Sequence, residues 1–409
     1  MKSSIIEKTE NKKGYKKTKL GWIPEEWEVV SLGKICNEPQ YGLSESSVEY
    51  NPLLPRYIRI TDINEQGELV KNNKVSVQAN NYKQYILHDG DILFARTGAT
   101  VGKTYFHKSK NTIEKEVVFA GYLIRFIVNE QRALKKYVFQ YTQSPQYDYW
   151  IKTMFRAGAQ PNINSQEYSN MIIPLPSKKE QEKIAEILSA WDDGIETLEK
   201  LIEQQEVSKK AIMQKLFLEK ESWKMIRFDK IFKDFCKKNC PEERLLSATQ
   251  ENGVIPRDML SGKVMSPEGS LEGYKLIEAG DFVISLRSFQ GGLEYSKYRG
   301  ILSPAYTVLK NIINIDKDFY RHFFKSYKFI EKYLSISVIG IRDGKQISYS
   351  DLSSVKIPYP PLEEQEKIGK ILNCCDEEIQ ILNFKLEKLK EQKKGLMQKL
   401  LTGQIRVKV

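Results

Sequence analysis

The chain has 409 residues, a formal net charge of +11 at pH 7 and an isoelectric point near 9.1. With 41% hydrophobic and 29% charged residues and no apolar run long enough for a bilayer, it does not read as a helical membrane protein. Its five cysteines lack a framework spacing, which points to a reducing, cytoplasmic setting, and its basic balance favours a polyanionic partner.

Length alone suggests two or three domains. Residues 1–20 are rich in Lys, Glu and Asn without an apolar core, and read as a flexible tail rather than a secretory signal. Residues 21–177 read as a mixed globule. Trp27–Ile35 opens it, and Tyr57–Ile63 alternates as a half-buried strand, with Ile58 and Ile60 on one face and Arg59 and Thr61 on the other. Gly90–Phe106 reads as strand, glycine turn, strand. Val117–Val128 reads as one buried strand, "QRALKKYVFQYTQS" as a helix, and "AGAQPNIN" as a loop.

Residues 178–219 hold a long helix. Ile184, Leu188, Trp191, Ile195, Leu198 and Ile202 follow at alternating steps of four and three, and Gln205 and Lys209 break the series before Ile212 and Leu216. Such a seam at period 3.5 marks a helix packed on another helix. Proline stands just ahead, and acidic residues in the first turns suit the positive end of the helix dipole. At about 1.5 Å per residue the rod is on the order of 60 Å long.

Residues 220–361 repeat the order of the first globule loosely. "WKMIRFDKI" answers "WEVVSLGKI", and "GDFVISLRSFQGG" answers "GDILFARTGATVG". Residues 362–403 repeat the long helix closely, without a gap. Pro174 matches Pro358, Ile184 matches Ile368 and Met213 matches Met397, and both "EQEKI" and "MQKL" recur letter for letter. The second seam is Ile368, Leu372, Cys375, Ile379, Leu382, Leu386 and Leu389, broken at Lys393. Residues 404–409 read as a tail.

The expected fold class is therefore α+β: two similar mixed α/β domains separated by two long helices in an antiparallel coiled coil, with an internal pseudo-two-fold repeat. A globule between two helices lets the chain return beside its start. Helix pairing is expected through Ile184, Leu188, Trp191, Ile195 and Leu198 against Ile368, Leu372, Ile379, Leu382 and Leu386.

The sequence holds no Gly-rich phosphate loop with Lys and Ser/Thr, and no Gly-x-Gly-x-x-Gly after a strand. Cys236 and Cys240 have no second ligand pair, and the three histidines are scattered, so no metal is expected. "GATVG" runs into a strand-like segment and makes a poor phosphate loop. No catalytic residue is assigned.

The turns read better as DNA contacts. The first globule offers Tyr41, Arg59, Arg96, Thr97, Gly98, Lys103, Gln160 and Asn162, with Lys108 nearby. The second offers Arg287, Ser288, Gln290, Gly291, Arg342, Lys345 and Gln346, with Lys297 nearby. Arg reads guanine edges, Asn or Gln reads adenine, and glycine lets backbone approach closely. Each residue alone also fits a solvated surface. The pairing of the sets across two globules favours the DNA reading.

These two proline-led "EQEKI … MQKL" helices and the two "GD-apolar-Arg-Gly" turns, Gly90–Gly98 and Gly280–Gly291, resemble the specificity subunits of type I restriction-modification enzymes. The resemblance covers nearly the whole chain after Leu20. It implies two target recognition domains, each reading one half of a split, asymmetric site in double-stranded DNA. It implies helices that set the spacer and dock two modification subunits, with restriction subunits joining. It also implies a chain without catalysis or cofactor of its own. S-adenosylmethionine, ATP and Mg belong to the partner subunits. The competing reading is a coiled-coil adaptor whose two globules bind proteins.

Overall fold

A computed structural model describes residues 13–70, 73–109, 114–155, 160–260, 271–334 and 347–408. The chain divides into two compact units. One comprises residues 1–197 and 386–409, and the other comprises residues 198–385.

In the first unit, Glu28–Ser31 pairs antiparallel with Ile172–Leu175, which brings the start of the globule beside its end. One four-stranded antiparallel sheet runs in the order Gln40–Tyr41, Leu123–Phe126, Ile92–Ala95, Thr104–Phe106. A second sheet joins Val117–Phe119, Arg56–Ile58, Val75–Ser76 and Val48–Glu49, its first pair parallel. Helices Lys135–Tyr141, Pro145–Met154 and Ser165–Ser169 complete the globule.

The second unit repeats the frame. Lys224–Arg227 pairs antiparallel with Lys356–Tyr359. Its four-stranded sheet runs Phe232–Phe235, Thr307–Asn311, Phe282–Ile284, Glu294–Tyr295. Helix Lys317–Phe323 then packs Phe319, Tyr320 and Phe323 into an aromatic core with Phe228, Phe232 and Phe282.

The long helices are Lys178–Leu216 and Leu362–Leu401. In the first unit, Ile184 and Leu188 of the first helix share one core with Met397, Leu400 and Leu401 of the second. In the second unit, Met213, Leu216 and Phe217 share a core with Ile368 and Leu372. Start meets end in both units, which is the antiparallel arrangement. Along the seam Ile184, Leu188, Ile195, Ile202, Ile368, Leu372 and Leu386 are buried, and Trp191, Leu198, Ile379 and Leu382 are half-buried. Each fully buried Leu or Ile contributes about 1.5–3 kcal/mol. Off the seam, Val207, Ile371 and Ile381 are exposed.

The repeated "EQEKI" is a plug. Glu180 accepts from the Trp27 indole at 3.0 Å, and Glu364 accepts from Trp223 at 2.9 Å. Gln181 accepts from the Leu134 backbone N–H at 2.8 Å and donates to the Pro176 carbonyl at 2.9 Å. Gln365 does the same with Asp316 at 2.9 Å and Pro360 at 2.8 Å. Both glutamines are buried, and these bonds satisfy backbone groups that a helix start leaves open.

The seam breaks are also explained. Lys393 pairs with Asp192, and Lys209 pairs with Asp376. Asp192 and Asp376 are one repeat apart, as are Lys209 and Lys393, so the two ion pairs are reciprocal, as a two-fold relation requires.

Four local expectations are corrected. Val117–Val128 is two strands, Val117–Phe119 and Leu123–Phe126, which enter different sheets across a turn at Gly121. Tyr57–Ile63 is strand only to Ile58, all of it buried, and Ile60–Asp62 forms a 3-10 turn. Residues 15–18 of the expected N-terminal tail form a strand: Tyr15–Thr18 pairs with Gly21–Pro24, and the Tyr15 hydroxyl donates to the Gly403 carbonyl at 2.8 Å. The C-terminal segment is anchored too: Arg406 donates to Glu180 at 2.6 and 3.0 Å and stacks 5.8 Å from the Trp27 ring.

Candidate nucleic-acid interface

Strand Ile92–Ala95 delivers Arg96 to the surface of the first unit. The Arg96 N–H donates to the Tyr122 carbonyl at 3.0 Å, and the Arg96 carbonyl accepts from Ile163 at 2.9 Å. Thr97 bridges to Asn162, and the Gly98 N–H donates to the Pro161 carbonyl at 3.0 Å. Gly98 has φ +68°, a conformation that suits glycine, and a side chain added there would lie 3.7 Å from the Gln160 amide. A capping box, Asn164 with Glu167, starts helix Ser165–Ser169 and holds the far end of the loop.

Tyr41 reaches the same place from a different strand. Its ring lies 4.9 Å from the Arg96 guanidinium carbon. Its hydroxyl accepts from the Ser165 N–H at 3.0 Å and donates to Ser165 Oγ at 3.1 Å. Tyr41, Arg96, Thr97, Gly98, Gln160 and Asn162 thus form one surface patch from segments far apart in sequence. No carboxylate among the described residues pairs with Arg96, and its Nε is buried without a hydrogen-bond partner there. The ring face attracts the cation without neutralising it, so the patch presents a fixed positive charge beside amide groups. That set can bind an anion and read base edges.

Arg59 and Lys103 do not share this role. Arg59 donates to Asp62 at 2.9 and 3.3 Å and to the Asn73 carbonyl at 3.1 Å, which closes the local turn. Lys103 pairs with Glu65 at 2.8 Å and donates to the Ile63 carbonyl at 3.3 Å.

In the second unit the matching turn is a short helix, Ser288–Gly291, with Arg287 at its start. Arg287 and Gln290 are exposed. Ser288 is a correction to the sequence reading: it is 1% exposed, and its Oγ accepts from the Ser285 N–H at 2.8 Å, so it holds the turn from inside. A side chain at Gly291 would meet the Gln250 amide at 2.9 Å and displace it. Arg342, Lys345 and Gln346 lie outside the described residues.

The family model of the type I restriction modification DNA specificity domain matches this chain twice, over residues 24–207 and 220–391. The chain belongs to that family. Among similar proteins, one from Methanocaldococcus jannaschii is provisionally named a type I restriction enzyme MjaX specificity subunit. It is 29% identical over 429 residues, covering 96% of this chain and 97% of its own. The type I restriction enzyme MjaVIII specificity subunit of the same organism is 27% identical, covering 94% of each chain. A solved structure of the type I restriction-modification S subunit from M. genitalium has the same fold at 19% identity and TM-score 0.53, covering 92% of this chain and 96% of its own. A type I R-M structure described for its complex assembly and conformational transition aligns with TM-score 0.57 at 17% identity, over 94% of this chain and 99% of its own.

The two DNA specificity domains include residues that the sequence reading missed. Tyr122 is 60% exposed beside Arg96, on the turn that breaks the supposed single strand. Gly121 within an apolar run was the available signal. Ser165, Gln250 and Lys325 gave none, because their partners lie 124, 37 and 31 residues away.

Proposed function

We propose that this chain is the DNA-reading subunit of a type I restriction-modification complex, with one half of a split site read by each specificity domain. The observation that carries the proposal is Arg96, a cation without a carboxylate partner among the described residues, held by backbone bonds among amide side chains in a DNA specificity domain. Arg287 and Gln290 give the second domain its exposed counterpart. The long helices set the spacer and dock two modification subunits, and restriction subunits join that assembly. The chain has no catalysis of its own. S-adenosylmethionine, ATP and Mg act on the partner subunits, and the complex works in the cytoplasm.

The test is to sequence methylated adenines in host DNA with and without the gene. A split motif that disappears on deletion is expected. Replacing residues 21–177 by the same segment of a relative should then change one half of the motif and leave the other. A change in both halves sinks independent reading. A coiled-coil protein adaptor would give no methylation motif and no steep salt dependence of DNA binding.

A further inference from the structure

Lys325 lies just past helix Lys317–Phe323 in the second unit. Its ammonium donates to the Gly291 carbonyl at 2.9 Å, the Gln250 carbonyl at 3.2 Å and Glu294 Oε2 at 2.6 Å. Lys has three donors, and all three are used. Glu294 is 1% exposed, and its burial raises its carboxyl pKa against the pull of Lys325. Gln250 returns a bond of its own, from its amide to the Arg287 carbonyl at 3.3 Å. Gly292, at φ +74°, leaves no room either: a side chain there would meet the Phe324 carbonyl at 1.8 Å. The turn Arg287–Gly292 is therefore tied at both ends.

We infer that Lys325, Glu294 and Gln250 are positioning residues for the second recognition turn, fixing which bases Arg287 and Gln290 meet without touching DNA themselves. This rests on the DNA reading proposed above. Such a pair is a poor device for stability alone, since the burial of Glu294 offsets its attraction to Lys325, whose side chain stays 28% exposed. The first unit links the strand after its turn to the segment after its helix with neutral groups, the Gln143 amide to Thr104 Oγ1 at 2.6 Å and Thr104 Oγ1 to Thr142 Oγ1 at 2.8 Å. In the second unit the support also reaches the carbonyls of Gly291 and Gln250. The lysine supplies that reach, and supporting bonds of this kind hold reading side chains in one geometry.

The test uses the full chain assembled with its modification subunits, with methylated motifs read from DNA. The variants are Gln250→Ala, Lys325→Arg, and Lys325→Met combined with Glu294→Gln, which leaves no buried charge unpaired. Gln250→Ala and the double variant should keep the first half-site and lose about tenfold in discrimination at the second, the scale of one misread base pair. Lys325→Arg, which keeps the charge, should stay closer to the parent. If the double variant does not assemble, Gln250→Ala decides alone, since Gln250 is exposed. A second half-site as strict as the parent's overturns the inference, and so does relaxation of both halves together. A parent complex with no split motif would instead overturn the DNA reading beneath it.

Discussion

Replacing Lys393 by Met tests whether the reciprocal ion pairs fix the helix pairing. Lys393 sits on the apolar seam with its side chain 15% exposed, and its partner Asp192 is 39% exposed. Asp192 also accepts from the Gln140 amide at 2.7 Å, so the carboxylate joins both long helices to the first globule. A charge-assisted hydrogen bond contributes about 1.5–3 kcal/mol when shielded, and an exposed pair about 0–1 kcal/mol. At these exposures the pair falls between, at about 1–2 kcal/mol. Met keeps the packed stem and removes only the ammonium. Lys393→Met and Asp192→Asn should each lower the unfolding free energy by that amount, seen as a lower urea midpoint with the slope unchanged. The double variant should lose less than the sum, leaving a coupling of about 1 kcal/mol. Exchanging the charges, Asp192→Lys with Lys393→Asp, should restore most of the loss, because the Gln140 amide can turn its carbonyl to a cation. A coupling below about 0.3 kcal/mol, the ordinary error of additivity, would refute the reasoning.

Arg96→Ala should cost about 1–3 kcal/mol of discrimination at the first half-site alone, and Arg96→Lys should recover affinity but not base preference; filter binding on matched and mismatched duplexes checks both. His322 is 4% exposed, and burial lowers its pKa from 6.5 to about 4, against the pull of its bond to Asn373 and of nearby Asp376. The unfolded chain takes up this proton below about pH 6.5 and the folded chain does not. Stability from this group is therefore complete above pH 6.5 and declines as pH falls toward 4, by about 2 kcal/mol at pH 5. His322→Phe should flatten that part of the stability curve. A heptad inserted in both helices, near Gln205 and Leu389, should keep both half-site sequences while lengthening the spacer by a few base pairs or abolishing activity through groove phase. An unchanged spacer in an assembled complex would show that the rod is not the ruler.

The long helices were legible because repeat and seam are local patterns. "EQEKI" could be seen to recur, but its reason could not. Glu180 meets Trp27 across 153 positions, and no periodicity encodes an indole waiting there. The seam breaks at Lys209 and Lys393 were visible only as faults, since the aspartates that answer them lie on the other helix. Val117–Val128 misled because a run buried on both faces has no alternation to mark where one sheet ends. Within the candidate site, Arg96 and Gly98 stood out through strand and turn chemistry. Tyr41 beneath Arg96 is a tertiary fact, and the burial of Ser288 follows from a short helix where a loop was expected.

The same contacts explain why the helices match closely between copies while the globules diverge. Each helix end faces two surfaces at once. Ile184 packs in a core with residues of its own globule and with Met397 and Leu400 of the other helix, and Ile368 does likewise with Met213 and Leu216. A change at such a position must suit both neighbours, and the reciprocal geometry requires the same solution in each copy. The turns face no such double demand. Arg96 is held through its backbone, by Tyr122 and Ile163, and Arg287 through its carbonyl, by Gln250. Backbone bonds accept many side chains, so the residues presented outward can change without unmaking the turn. The support behind them can change as well, from the neutral Gln143, Thr104 and Thr142 side chains in one unit to the Glu294–Lys325 ion pair in the other. A frame held by side chains that carries turns held by backbone can present new outward residues while keeping its own packing.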